Sequence, residues 1–116
     1  DSIYPASGRP HPRLYGTYAR IIQRFVGERR DMTLEAAVKA MTYTPAKALN
    51  IADRGLLKEG LCADVNVFDP AEVKERGSYA DPDKCAAGMD YVFVNGKPAI
   101  AAGELTGGAF GQVIRR

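Results

Sequence analysis

The sequence has 116 residues, enough for one modest domain, and is 46% hydrophobic and 26% charged, as expected of a globular protein. The formal net charge of +2 is too small to indicate binding to nucleic acid or to an anionic membrane surface. No apolar run approaches the roughly 20 residues needed to cross a bilayer, and the first residues show no secretory signal pattern.

The N-terminal half is predicted to be a loop followed by three helices. Residues 1–16 are rich in proline and glycine, which predicts a surface loop. Thr17 is the predicted N-cap of the first helix, which is expected to end near Gly27, and Thr33 is the predicted N-cap of the second. Thr44-Pro45 is predicted to begin a short third helix, because proline at a helix start loses no hydrogen bond.

The C-terminal half is predicted to form strands and turns, starting near residues 50–55. The stretch RGLLKEGLCADVNVFDP indicates a first hairpin. It would consist of a strand at 55–57, a turn at 58–60 and a strand at 63–68. Alternation along the second strand places Val65 and Val67 on one face.

A second hairpin is predicted around the dipeptide Asn95-Gly96. Residues 91–94 and 97–101 are apolar runs, and both turn residues tolerate the positive φ of a type I′ turn. Pro98 lacks an N–H, so the return strand is expected to lie at a sheet edge or to pair on one side only there. Between the two hairpins, residues 71–76 are predicted to form one or two helical turns and residues 77–88 a surface loop.

The chain cannot assemble a hydrolytic metal site on its own. Such a site needs several converging histidine, cysteine or carboxylate ligands and a general base. The chain has one histidine, His11, and its two cysteines are not in a Cys-x-x-Cys pair. No metal ligand and no cofactor are therefore expected within this chain.

Several stretches of the chain resemble metal-dependent amidohydrolases. RGLLKEGLCADVNVFDP is similar to their closing segment, and VFVNGKPAIAAGELTG resembles the terminal hairpin that follows it. Asp1, His11-Pro12-Arg13 and Tyr15-Gly16-Thr17 resemble the D-aminoacylase branch, the N-acyl-D-amino-acid deacylases. The resemblance covers essentially the whole chain and implies that it is the C-terminal portion of a longer enzyme.

The resemblance implies an α+β fold assembled from parts of two domains. Residues 1–53 would supply a loop and helices from the end of a TIM-like barrel. Residues 54–116 would supply part of a small β-sandwich, with other strands coming from the N-terminus of the enzyme. Such a piece is expected to present an exposed sheet edge, which a homo-oligomer could cover.

The resemblance also implies that the enzyme hydrolyses the amide bond of N-acyl-D-amino acids. We expect zinc in the full-length enzyme, a cytoplasmic location, and no nucleic-acid or membrane partner; the isolated chain is expected to be inactive. Two other interpretations stay open. One is a cyclic-amide amidohydrolase of the dihydroorotase or hydantoinase type, which shares the closing hairpins. The other is a non-enzymatic α+β module that associates through its free sheet edge.

The resemblance suggests a role for two residues in catalysis and substrate binding. Asp1 corresponds to an aspartate beside the metal that activates the attacking water and passes its proton to the leaving amine. Arg13 corresponds to an arginine whose guanidinium binds the substrate α-carboxylate through two hydrogen bonds. The alternatives are that Asp1 is a solvated terminal residue and that Arg13 binds the carbonyls of its own loop.

Three further residues are expected to support the structure. His11 lies between two prolines and is expected to make structural hydrogen bonds in the loop. Tyr15 would line the mouth of a pocket or pack against the loop. Asp64 is a carboxylate inside a strand and is expected to accept backbone N–H bonds, because a charged group in that setting needs such partners.

Overall fold

The structure is a computed structural model that describes residues 10–114. The described residues form two compact units. The first contains residues 10–37 and 69–88, and the second contains residues 38–68 and 89–114. In the part of the chain that the structure describes, no helix is long and apolar enough to cross a membrane.

The first unit contains a long helix whose first half is α-helical and whose second half is π-helical. Helix α1 (Arg13–Arg20) continues directly into a π-helical segment, Ile21–Glu28. The helix thus ends at Glu28, one residue beyond the predicted end at Gly27. The predicted start was wrong, because residues 13–16 are helical instead of a loop. Thr17 is inside the helix and is not its N-cap; its hydroxyl donates a hydrogen bond to the carbonyl of Arg13.

The second part of the first unit, residues 69–88, is mostly irregular, as predicted for 77–88. The prediction of one or two helical turns at 71–76 was wrong. A single turn forms because the Asp69 carboxylate accepts the Ala71 N–H at 2.9 Å. The chain then extends, and Lys74 forms an isolated antiparallel bridge with Ala87. The buried core of this unit includes Ala19, Ile22, Ala37 and Val73.

Two short helices follow α1 in the sequence. Helix α2 (Leu34–Met41) begins where the Thr33 hydroxyl accepts the Ala36 N–H at 3.2 Å, which confirms Thr33 as its cap. Helix α3 (Tyr43–Ala48) starts before the predicted Thr44-Pro45, with Thr42 at its N-cap position. Pro45 lies within its first turn, where the missing N–H costs no helical hydrogen bond.

The second unit contains an antiparallel sheet of four strands in the order β1-β2-β3-β4. The predicted second hairpin is confirmed: Asn95 and Gly96 have φ of 51° and 76° and join β2 to β3. Strand β4 pairs only with Ile100 and Ala101, so Pro98 has a strand partner on one side, as its missing N–H requires. The strands are β1 (Val65–Phe68), β2 (Met89–Val94), β3 (Lys97–Ala101) and β4 (Glu104–Leu105).

The first predicted hairpin does not form. The turn at 58–60 is present, with the Leu61 N–H bonded to the Lys58 carbonyl at 3.3 Å, but residues 55–57 are not a strand. Gly55 has a φ of 85°, and a side chain there would come within 2.8 Å of the Ala46 Cβ. This left-handed conformation against α3 prevents an extended strand, and β1 pairs with β2 instead.

One face of the sheet carries a row of large apolar side chains. Val65 lies opposite Phe93 and Val67 lies opposite Tyr91, so the two valines share a face, as predicted. The Tyr91 and Phe93 rings stack at a centroid distance of 6.2 Å. Val67 is 46% and Tyr91 41% exposed. We call this surface, formed by Val65, Val67, Tyr91 and Phe93, the Tyr91 face.

The Asn95 turn is fixed by side chains from distant parts of the second unit. The Asp64 carboxylate accepts the Asn95 backbone N–H at 2.8 Å, which confirms the structural role predicted for Asp64. The Arg54 guanidinium bonds both the Asp64 carboxylate and the Asn95 side-chain oxygen. The Asn95 amide then donates to the Phe110 carbonyl at 2.6 Å.

The electrostatic balance at Asp64 favours the ionised form. Desolvation by burial would raise the pKa of Asp64, but the Asn95 N–H and the Arg54 guanidinium together outweigh it, so the pKa lies below its usual value. A depressed pKa in the folded chain means that the ionised carboxylate contributes stability at neutral pH. That contribution is lost as the pH falls through the folded-state pKa.

We expect Asp64→Asn to lower the free energy of unfolding by roughly 1–2 kcal/mol at neutral pH. Hydrogen bonds to charged groups contribute about 1.5–3 kcal/mol, and solvent around this partly exposed carboxylate reduces that value. Urea unfolding measures the loss, which should shrink as the pH falls below the usual range of an aspartate. Asp90→Asn, at an exposed position of β2, is the matched control; a loss in the Asp64 variant no larger than in this control would contradict the assignment.

Candidate functional site

The start of α1 is set by His11 and Pro12. The His11 carbonyl accepts the Leu14 N–H at 3.0 Å, and its ring Nδ1 accepts the Arg13 N–H at 3.1 Å. Pro12 already has helical angles, φ −53° and ψ −27°. Pro12 is at the N-cap position of α1, and the ring of His11, one position before it, accepts the N–H of the first helical residue, Arg13.

A cleft of about 450 Å³ lies beside this helix start, within the first unit. Its size is in the range of small-molecule binding sites. It is formed by the first turns of the long helix and by residues 75–79, which come from the irregular second part of the unit. Its lining residues are His11, Pro12, Arg13, Thr17, Arg20, Ile21, Phe25, Glu75, Gly77, Ser78 and Tyr79.

His11 and Tyr79 are in direct contact at this cleft. The His11 Nε2 lies 3.2 Å from the Tyr79 hydroxyl. The two rings meet edge to face, with centroids 5.1 Å apart and planes inclined by 79°, an arrangement that aromatic rings favour. Tyr79 is 78% exposed, so its ring stands at the open side of the cleft.

Charged side chains give the cleft a positive balance. Arg20 forms an ion pair with Glu75 at 2.9 Å, and Glu75 is further held by its backbone N–H, which donates to the Gln23 side chain at 3.0 Å. Gly16 makes room for this carboxylate, since a Cβ there would lie 2.7 Å from the Glu75 Cγ. Arg13 and Arg20 against one glutamate leave one unit of positive charge among the described lining residues, which suits an anionic ligand.

The backbone of Arg13 is held on both sides. Its N–H is bonded to His11, and its carbonyl accepts the Thr17 hydroxyl at 2.6 Å. The side chain is exposed and lines the cleft. A guanidinium on a fixed backbone suits two-point binding of a carboxylate.

The structure brings some of the predicted site residues together. His11 and Arg13 lie in one cleft, whereas Tyr15 is on α1 but does not line it. Asp1 lies outside the described residues. Sequence analysis missed Arg20, Glu75 and Tyr79, because no local pattern signals that residues more than 50 positions apart meet at one cleft. The glycine at position 16, which leaves space for Glu75, gives no such signal by itself.

The described residues do not fit a metal site. Within residues 10–114, no three histidine, cysteine, aspartate or glutamate side chains are grouped so that they could hold a metal ion. The ring nitrogens of His11 are already occupied by Arg13 and Tyr79. Ligands for a metal would have to come from elsewhere.

Comparisons with known proteins agree on one relationship. A family profile described as "Amidohydrolase family" matches residues 6–100. An N-acyl-D-glutamate deacylase from Alcaligenes xylosoxydans xylosoxydans is 46% identical over 92 residues, which are 79% of this chain and 19% of that protein. A D-aminoacylase from the same organism is 39% identical over 112 residues, 97% of this chain and 23% of that protein.

Solved structures show the same similarity. A D-aminoacylase crystal structure matches with a TM-score of 0.90 and 38% identity, covering 97% of this chain and 24% of that one. An N-acyl-D-glutamate deacylase from Bordetella bronchiseptica, in complex with zinc and a phosphonate inhibitor, matches with a TM-score of 0.76 and 46% identity, covering 78% of this chain and 19% of that one. This chain therefore spans about a fifth to a quarter of the length of these relatives.

Proposed function

Because the chain belongs to the amidohydrolase family, we propose that it acts as the C-terminal part of an enzyme that hydrolyses the amide bond of N-acyl-D-amino acids. The support is the identity of 37–46% to relatives described as D-aminoacylase and as N-acyl-D-glutamate and N-acyl-D-aspartate deacylases. These descriptions favour the deacylase over the cyclic-amide alternative. The non-enzymatic alternative has no comparable support.

The observation that carries this proposal is the cleft at Arg13. It combines a volume suited to a small molecule, an excess of one positive charge and an arginine at a fixed helix start. An N-acyl amino acid has one free α-carboxylate, and Arg13 would bind it through two parallel hydrogen bonds. Tyr15 remains a candidate support for this part of the helix.

Asp1 is proposed to carry the proton of the reaction. As a general base it would take a proton from the attacking water, and as a general acid it would give it to the leaving amine. We propose that zinc is the metal of the whole enzyme, as in the zinc complex of the relative from Bordetella bronchiseptica. Its ligands would come from outside the described residues. A cytoplasmic location is part of the same proposal.

The chain is further proposed to divide near residue 53. Residues 1–53 would complete the outer helices of a TIM-like barrel, and residues 54–116 would form part of a β-sandwich. The Tyr91 face supports the second statement, since Val67 and Tyr91 are both more than 40% exposed on a surface suited to packing against another sheet. The covering strands would come from the rest of the enzyme. We propose separately that copies of the protein associate through an exposed edge of the sheet.

We expect Arg13→Met to raise KM for N-acetyl-D-glutamate by roughly 10- to 100-fold in the complete enzyme. Loss of hydrogen bonds to a charged group costs about 1.5–3 kcal/mol. Steady-state kinetics measures the effect, and Arg24→Met, an exposed arginine farther along the same helix, is the matched control. An unchanged KM in the Arg13 variant would remove this residue from substrate binding.

We expect Asp1→Asn to lower kcat by roughly 10²- to 10⁴-fold, the usual contribution of general acid–base catalysis, with little change in KM. The amide can neither accept the proton of water nor return it to the amine. Single-turnover kinetics of the complete enzyme measures the step, with Asp83→Asn as a control at an exposed position. A kcat within tenfold of the unmodified enzyme would show that Asp1 does not transfer the proton.

We expect Val67→Asp to destabilise the complete enzyme far more than the 116-residue chain. A covered Tyr91 face would bury the new carboxylate without a partner, at a cost of about 2 kcal/mol or more, whereas an open face leaves it in water. Chemical denaturation of both proteins measures the difference. Val113→Asp, which is 84% exposed before the change, is the control. Equal losses in the two proteins would contradict a β-sandwich covering this face.

A further inference from the structure

We propose that His11 is a positioning residue for Arg13, held uncharged with its proton on Nε2. In this form its Nδ1 fixes the backbone of Arg13 and its Nε2–H holds Tyr79. This inference rests on the proposed function, in which Arg13 binds the substrate carboxylate, and adds a residue that acts through Arg13 instead of touching the substrate.

The protonation state follows from the two hydrogen bonds of the ring. The Arg13 N–H donates to Nδ1 over 3.1 Å, which requires a free lone pair on that nitrogen. A protonated imidazole has N–H groups on both nitrogens and no lone pair to offer. His11 is therefore neutral, its proton lies on Nε2, and the Tyr79 hydroxyl oxygen accepts it over 3.2 Å.

The N-terminal position of Arg13 explains why this bond matters. The first N–H groups of a helix have no partner within the helix, and Pro12 has no N–H at all. The Arg13 N–H is thus the first donor of α1, and His11 satisfies it. Since Thr17 holds the Arg13 carbonyl at 2.6 Å, the arginine side chain starts from a backbone fixed on both sides, as precise binding requires.

Charged side chains line the cleft beside the His11 ring. Arg13 and Arg20 line the cleft with His11, and the carboxylate of Glu75 is committed to Arg20 at 2.9 Å. Tyr79 is the fourth titratable group that faces the ring. A neutral histidine adds no like charge beside these two guanidinium groups.

The first test is the tautomer itself, read from the ¹⁵N shifts of the imidazole nitrogens by NMR. The 116-residue chain has one histidine, so selective labelling gives a single pair of signals. At neutral pH we expect a protonated Nε2 and an unprotonated Nδ1. A protonated Nδ1, or a mixture of the two tautomers as in free imidazole, would overturn the assignment whatever the activity of the enzyme.

The second test compares His11→Ala with His11→Asn in the complete enzyme. The alanine variant loses the acceptor for the Arg13 N–H, and we expect KM for N-acetyl-D-glutamate to rise roughly 5- to 100-fold with kcat within about twofold. Asparagine is a good N-cap whose side-chain oxygen can accept the same N–H, so it should restore most of the lost affinity. A variant of Tyr79, Tyr79→Phe, should show a smaller increase in KM because Nδ1 keeps its bond.

Two outcomes separate this inference from the proposed function. An unchanged KM in the alanine variant, or an asparagine variant as impaired as alanine, contradicts the positioning role of His11. If Arg13→Met also leaves KM unchanged, the proposed function of Arg13 fails with it. If Arg13→Met raises KM while the histidine variants do not, the proposed function stands and only the role of His11 is wrong.

Discussion

Every backbone N–H that a helix start or a turn leaves without a partner must find an acceptor. In each unit, a side chain provides this acceptor at the start of an element or at a turn. In the first unit the His11 ring accepts the Arg13 N–H and fixes where α1 begins. In the second unit the Asp64 carboxylate accepts the Asn95 N–H and fixes the turn of the hairpin. Each acceptor makes a second hydrogen bond, the His11 ring with the Tyr79 hydroxyl and the Asp64 carboxylate with the Arg54 guanidinium.

The sequence predicted those features that depend on neighbouring residues. Asn95-Gly96 has the positive φ angles of its turn, and Thr33 caps α2, because in both cases the residue type itself determines the local backbone. The start of α1 differs from the prediction because histidine is not among the residues that usually accept an N–H at a helix start, although the His11 ring does so here, with Pro12 at the N-cap position. The strand at 55–57 was wrong because packing of Gly55 against α3 overrides a pattern that favours a strand.

The candidate site could be predicted only in part, for the same physical reason. Arg13 and His11 are two residues apart in the sequence, and the motif His11-Pro12-Arg13 indicates both. Tyr79 and Glu75 reach the cleft from a segment without regular structure, where neither spacing nor periodicity indicates which side chains turn inward. Arg20 pairs with Glu75, and the formal charges of the described lining residues sum to one positive unit, a balance that appears only once the two segments are seen together.

Two features of the described chain agree with the proposal that it is part of a longer enzyme. The cleft has a candidate group for binding a carboxylate, and the described residues contain no group of side chains that could hold a metal ion; in the proposed function, the groups that activate water come from other segments. On the Tyr91 face, Val67 and Tyr91 are more than 40% exposed. Exposing apolar surface to water is unfavourable, and packing against another sheet would bury it. A longer chain that supplies metal ligands at the cleft and strands over the Tyr91 face would satisfy both. The relatives, about four times as long as this chain, have the length to do so.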